Sequence, residues 1–208
     1  MAFYRRNLPH WQPVDAEYFV TFRLAGSLPK EAVQRLNSEQ KTLENSDLHT
    51  TIIQRRIFAK FEKLLDGSST GPVWLKNKPI ANIVCDALHY RDQNEYNLYA
   101  YCVMPNHVHL VFKLLNPKKI KDKLDFPVTK ILQELKRYTA VKCNKVLDRK
   151  GQFWQRESFD RVIRDKDELE NTVRYVLNNP VKAGLTEYWE NWPHSYCKPE
   201  FVKTFSKM

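Results

Sequence analysis

Two histidines one residue apart, His107 and His109, flank Val108 in the run VMPNHVHLVF (103–112). On an extended chain, residues i and i+2 share a face. The two imidazoles therefore project side by side, while Val108, Leu110 and Phe112 turn towards a core. A pair of imidazoles so placed can bind one divalent ion. The plainer reading of H-x-H is two polar residues on a solvated face. A second group lies in RYVLNNPVKAGL (174–185). Tyr175 and Asn179 are i and i+4, hence on one face of a helix, and Asn171 extends the stripe. A helical tyrosine is usually a packing residue with a wet hydroxyl. It can also serve as a covalent nucleophile, and the Asn179 amide oxygen can supply a third ligand beside the histidines. Pro180 disfavours helical geometry at the residue before it, so Asn178 stays a substitute for Asn179.

These side chains need elements to hold them. Residues 18–24 (YFVTFRL) read as a strand. Pro29 opens a charged helical stretch to about Leu65, which the run Asp66-Gly67-Ser68-Ser69-Thr70-Gly71-Pro72 breaks. Residues 79–91 follow helical spacing. Tyr96–Met104 and His107–Leu115 form a hairpin about Pro105-Asn106. After a basic connector, 127–147 is an amphipathic helix, and FWQRESFDRVI is extended. Asp165 and Glu168 suggest a capping box for a last helix, which should stop at Pro180. Strand, helices, hairpin, helix, strand, helix is the order of an α+β fold of ferredoxin-like (RRM-like) type: an antiparallel sheet with two helices on one face. Its strand order is not readable. At 208 residues the chain is expected to be one domain, 1–208, with a helical insertion over about 30–70 and a short carboxy-terminal tail over about 186–208.

Charge points to the partner. Lys and Arg number 34 against 24 Asp and Glu, a net charge of +10, and such an excess favours polyanions. Residues 113–150 hold 12 basic and 4 acidic residues, so most of the excess is concentrated there. That is the electrostatic footprint of a nucleic-acid surface, although any single lysine usually belongs to a solvated face. Lys136, Arg137, Lys142 and Lys145 are the leading phosphate contacts, with Arg156, Arg161, Arg5 and Arg6 behind them. Trp154, beside Arg156, suits stacking on an unpaired base or else a place in the core. No apolar run reaches the roughly 18 residues of a membrane helix, and the amino-terminal residues carry no apolar leader. Four scattered cysteines without a C-x-x-C pair read as reduced thiols, so the expectation is a cytoplasmic protein, nucleoid-associated when on DNA, with no membrane partner.

Taken together, VMPNHVHLVF (103–112), FWQRESFDRVIRD (153–165) and RYVLNNPVKAGL (174–185) resemble the REP-associated tyrosine transposases, single-tyrosine members of the HUH endonucleases. NLPHWQP (7–13), YFVTFRLAGSLP (18–29) and GPVWLKNKPIA (71–81) resemble the amino-terminal half of that family. The resemblance implies a ferredoxin-like fold and a divalent ion, Mg²⁺ or Mn²⁺, on His107 and His109. Asn179 maps onto the polar third ligand and Tyr175 onto the nucleophile; Tyr138 in KRYTA is the competing tyrosine. The implied activity is cleavage and transfer of single-stranded or hairpin DNA through a 5′-phosphotyrosine, by a monomer or a homodimer. The competing reading is a domesticated, sequence-specific DNA-binding protein of the same fold that no longer moves DNA. Residues 30–70 match no motif, so nothing functional is carried onto them and their role stays open.

Overall fold

The computed structural model describes residues 3–5, 9–11, 13, 16–46, 49–67, 71–115 and 126–205. Two short strands, β1 (Phe3–Arg5) and β2 (Pro9–Trp11), pair with each other. The main sheet contains β3 (Glu17–Leu24), β4 (Tyr96–Val103), β5 (His107–Leu114), β6 (Trp154–Ile163) and β7 (Ser195–Cys197). Its order is β6-β3-β5-β4-β7, with every pair antiparallel. Leaving β7 aside, β3 and β5 are the central strands. The chain makes two crossovers, from β3 to β4 and from β5 to β6, as the ferredoxin-like arrangement requires. The residues expected to be a tail add the edge strand β7 and the helix α6 (Pro199–Phe205).

Residue alternation along β3 divides the core. Tyr18, Val20, Phe22 and Leu24 join Val108, Leu110 and Phe112 against α3 (Lys78–Arg91) and α4 (Pro127–Val146). These are the two helices expected on one face. On the other face, Phe19 and Val111 meet Leu169, Val173, Val176 and Leu177 of α5 (Lys166–Lys182). With apolar side chains directed to both faces, β3 and β5 have little need for polar alternation. The His107 and His109 side chains are therefore covered by protein rather than by water.

Two expectations need correction. The helical stretch over 30–65 is a pair of helices, α1 (Lys30–Glu44) and α2 (Thr50–Asp66), packed together through Leu36, Ile53 and Ile57. The last helix does not stop at Pro180: it continues to Lys182 with Pro180 inside it. A proline there removes one backbone donor and crowds the preceding turn. The buried stripe of Val173, Val176, Leu177 and Pro180 holds the helix on the sheet despite that cost. Its start is as expected: the Asp165 side chain accepts from the Glu168 N–H at 2.8 Å. The Glu168 carboxylate accepts from the Arg164 N–H at 3.0 Å, one residue ahead of the cap.

Candidate active site

Register across the sheet fixes the histidine pair. His109 sits opposite Thr21 of β3 and Cys102 of β4, while His107 sits opposite Arg23. The two rings lie on the face covered by α5, with their Nε2 atoms 2.9 Å apart. Each Nδ1 has its own partner: Asn106 Oδ1 at 2.6 Å for His107 and Thr21 Oγ1 at 2.9 Å for His109. The bond to Asn106 fixes His107 Nδ1 as the donor and leaves its Nε2 with a free lone pair. Burial lowers the pKa of His107 to about 3. That of His109 is pushed well below its usual value by burial, then by His107 and Lys182. Both imidazoles are neutral, the form that ligates metals.

Helix α5 brings two groups to this pair. Asn179 is buried and donates from Nδ2 to His109 Nε2 at 3.1 Å, while its Oδ1 has no partner. Asn178 and Asn171 are exposed, so the substitution by Asn178 is not realised; the helical path through Pro180 is what turns Asn179 inward. The Tyr175 ring centroid is 5.6 Å from that of His109 and 6.1 Å from that of Phe19. Tyr138 is half exposed on α4, which packs on the opposite face of the sheet, and Lys142 Nζ lies 5.8 Å over its ring. The structure thus brings Tyr175, not Tyr138, to the histidines.

A further group comes from the inserted helices, whose role the sequence left open. Glu62 of α2 is buried, and its Oε2 accepts the Tyr175 O–H and lies 3.3 Å from His109 Nε2. Burial pushes its pKa up to about 8, against the hydrogen bond from Tyr175. The Tyr175 phenol is itself pushed up, first by burial and then by Glu62. One turn on, Asp66 receives Lys182 Nζ at 3.2 Å. The sequence did hold a signal for Glu62. It lies four residues after Phe58 and three before Leu65, so a carboxylate interrupts the apolar stripe of a helix.

The donor set fits a divalent ion. The two Nε2 atoms, 2.9 Å apart on neutral imidazoles, converge so that one ion could take both. The Asn179 Oδ1 and Glu62 Oε1 atoms are buried without hydrogen bonds, and both are oxygen donors. Among the described residues, no three His, Cys, Asp or Glu side chains are grouped as a metal site by themselves. An ion here would rely on the Asn179 amide as its third ligand.

Beside Tyr175 opens a cleft of about 420 Å³ lined by Arg55, Phe58, Arg161, Glu168, Asn171 and Thr172. Arg161 donates to Glu168 at 2.5 Å and to Thr172 at 2.9 Å, and its guanidinium lies 5.3 Å over the Phe19 ring. A second groove of about 620 Å³ runs between α4 and the start of β6, bordered by Gln133, Arg137, Gln152, Gln155 and Arg156. Arg137, Lys142, Lys145 and Arg156 are exposed. Lys136 is instead turned inward: its ammonium donates to the carbonyls of Gln155, Arg156 and Glu157 and, at 2.6 Å, to Ser158 Oγ. Trp154 is buried, donates to Thr139 Oγ1 at 2.8 Å and packs on Phe22, so it occupies the core rather than an open stacking position. Both depart from the expected DNA contacts. Of the weaker candidates, Arg6 lies outside the described residues, and Arg5 lies on β1 with its side chain outside them.

Comparison with known proteins gives a consistent result. Residues 78–179 match the family described as "Transposase IS200 like", a span that contains His107, His109, Tyr175 and Asn179 and excludes α1 and α2. A curated relative, the putative REP-associated tyrosine transposase of Haemophilus influenzae, is 32% identical over 98 residues, which is 46% of this chain and 56% of that one. The matched part thus spans little more than half the length of that relative. A solved structure titled "Structure of the REP associates tyrosine transposase bound to a REP hairpin" aligns over 100% of this chain and 87% of that one, with a TM-score of 0.51 and 18% identity. The family match thus takes in just under half of this chain, the curated relative is matched over little more than half its length, and the solved structure shows a likeness of fold.

Proposed function

We propose that this chain works as a REP-associated tyrosine transposase, cutting and rejoining single-stranded DNA next to a hairpin through a covalent bond to Tyr175. The observation that carries this reading is the placement of the Tyr175 ring, 5.6 Å from His109, in the pocket that also holds His107 and the Asn179 amide. Three residue types from distant parts of the chain meet there, in a pocket with two unpartnered oxygen donors.

His107, His109 and Asn179 would hold a Mg²⁺ or Mn²⁺ ion, whose contribution when bound is to polarise a non-bridging phosphate oxygen. Asn106 and Thr21 orient the two rings from behind, as outer partners of metal-binding histidines do. Tyr175 attacks the phosphorus in line. The phenol proton passes to solvent, a Tyr–O–P bond forms at the 5′ side, and the bond to the 3′ oxygen breaks, that oxygen taking a proton from solvent to leave as a 3′-hydroxyl. The phosphoester energy stays in the protein–DNA link, so a second 3′-hydroxyl can reverse the step and release Tyr175. The exposed Arg137, Lys142, Lys145 and Arg156 would take the hairpin phosphates. Arg156 and Arg161 lie on the same edge strand, so a strand following β6 passes from the α4 groove to the Tyr175 cleft.

The test is a labelled oligonucleotide with a hairpin and a single-stranded tail, incubated with Mn²⁺ and resolved under denaturing conditions. A protein–DNA adduct is expected for the wild type and for Tyr138→Phe but not for Tyr175→Phe. DNA binding without any adduct would instead favour a DNA-binding protein of this fold that does not transpose.

A further inference from the structure

We propose that Glu62, contributed by the helical pair inserted between β3 and α3, is a positioning residue that fixes the Tyr175 phenol beside the histidine pair. This rests on the reading of Tyr175 as the nucleophile.

A tyrosine on a helix reaches its target through two rotatable bonds, and an unheld phenol samples several directions. In-line attack demands one direction, and an error of about 1 Å can cost on the order of a hundredfold in rate. Three contacts restrict the ring here. The Phe19 ring meets it edge-on from β3. Lys182 Nζ lies 6.0 Å over it from the next turns of α5. Glu62 Oε2 accepts the hydroxyl itself. Of these three, the last acts on the reacting oxygen, which the Asn179 side chain also reaches from one turn further along α5. The same Glu62 oxygen is 3.3 Å from His109 Nε2, so the group that holds the phenol stands beside the histidine pair in the gap between α5 and the sheet.

The rest of α2 keeps that carboxylate in place. Phe58 packs 5.2 Å edge-on against Phe19 and 4.3 Å from Phe159. Asp66 pairs with Lys182, and Arg55 lies 3.7 Å from Glu168. Both ion pairs join α2 to α5, one on each side of Tyr175 along that helix. Glu62 and Asp66 are i and i+4 on α2, so one face of the inserted helix meets both the phenol and the lysine beyond it. The open cleft on the Arg55–Arg161 side leaves a path for a strand to reach Tyr175 while Glu62 is in position.

Two measurements on the full chain test this. The first needs no DNA: tyrosines are labelled with ¹³C at Cζ, and the Tyr175 signal is identified by its loss in Tyr175→Phe. Glu62→Gln should move that signal and leave those of tyrosines remote from α2 in place; an unmoved signal overturns the proposal. The second is single-turnover adduct formation at saturating hairpin DNA with Mn²⁺. Glu62→Gln should slow it by about tenfold to a hundredfold, with the DNA Kd within about twofold of wild type and part of the rate restored in Glu62→Asp. An unchanged rate overturns the proposal. So does a faster rate, which would mean that the carboxylate only occludes the phosphate, or a loss that disappears at saturation. Should Glu62→Gln not fold, Glu62→Asp carries both readouts, a moved signal and a slower adduct being expected. If the wild type forms no adduct while the Tyr175 signal still moves, the contact stands and it is the strand-cleavage reading that fails.

Discussion

His107 and His109 are neutral inside the protein because burial holds their pKa values down, His107 at about 3 and His109 well below the usual range. In the unfolded chain both titrate near 6.5. As pH falls below that value the unfolded state takes up protons that the folded state refuses, so acid favours unfolding. The loss approaches about 1.4 kcal/mol per pH unit for each proton. Urea titrations in EDTA at pH 7, 6 and 5 should show stability declining along this series; a flat profile would contradict a buried neutral pair. Trp154 permits a separate check. It is buried against Phe22 and bonded to Thr139, so Trp154→Ala should cost about 3–5 kcal/mol of unfolding free energy. An open stacking residue would cost far less. Strand and helix periodicity put the histidines on one face and Tyr175 and Asn179 on another, and the family resemblance is what singled out Tyr175 over Tyr138 and Asn179 over Asn178. Glu62 showed only as a break in an apolar stripe; its partners are 47 and 113 residues away along the chain, and only tertiary packing brings such distant residues together. Trp154 was ambiguous for a related reason: an aromatic pair, Phe153 and Trp154, flanked by polar residues reads the same in a core as on a surface.

At the level of elements, the hairpin about Pro105-Asn106 and the α4 helix fall within a residue or so of their expected bounds. Both rest on strong local signals, a turn pair and a long amphipathic period. The expected end of α5 rested on proline alone, and the burial of Pro180 itself on the sheet side outweighed that signal. The start of α5 depends on the Asp165 cap, whose replacement by alanine should cost about 1 kcal/mol. Chemical denaturation would show the loss, and adduct formation at a temperature where both proteins are folded should be unaffected, because Tyr175 lies more than two turns away. The split of 30–65 into α1 and α2 was hidden because charged residues run through the whole stretch. The one local signal of the bend is Asn45-Ser46-Asp47, turn-forming residues that are easily lost in a polar stretch without glycine or proline.

Over the whole molecule, the excess positive charge is not spread evenly. Arg137 and Arg156 border one groove, while the inward-turned Lys136 beside them spends its charge on the β6 backbone. Replacing Arg137 or Arg156 with alanine should therefore reduce the salt dependence of DNA binding by about one unit in log–log slope. Lys136→Ala should lower stability and leave that slope nearly unchanged. Fluorescence anisotropy over a range of NaCl concentrations separates the two outcomes. The family match begins at residue 78, beyond β3. Yet β3 lies between β5 and β6, and without it the two strands would have no common neighbour. An expression fragment trimmed to the matched span would thus lose a middle strand and leave two long edges unpaired, an invitation to aggregate. Any transplant of this histidine–tyrosine site into another protein has to bring the first third of the chain with it.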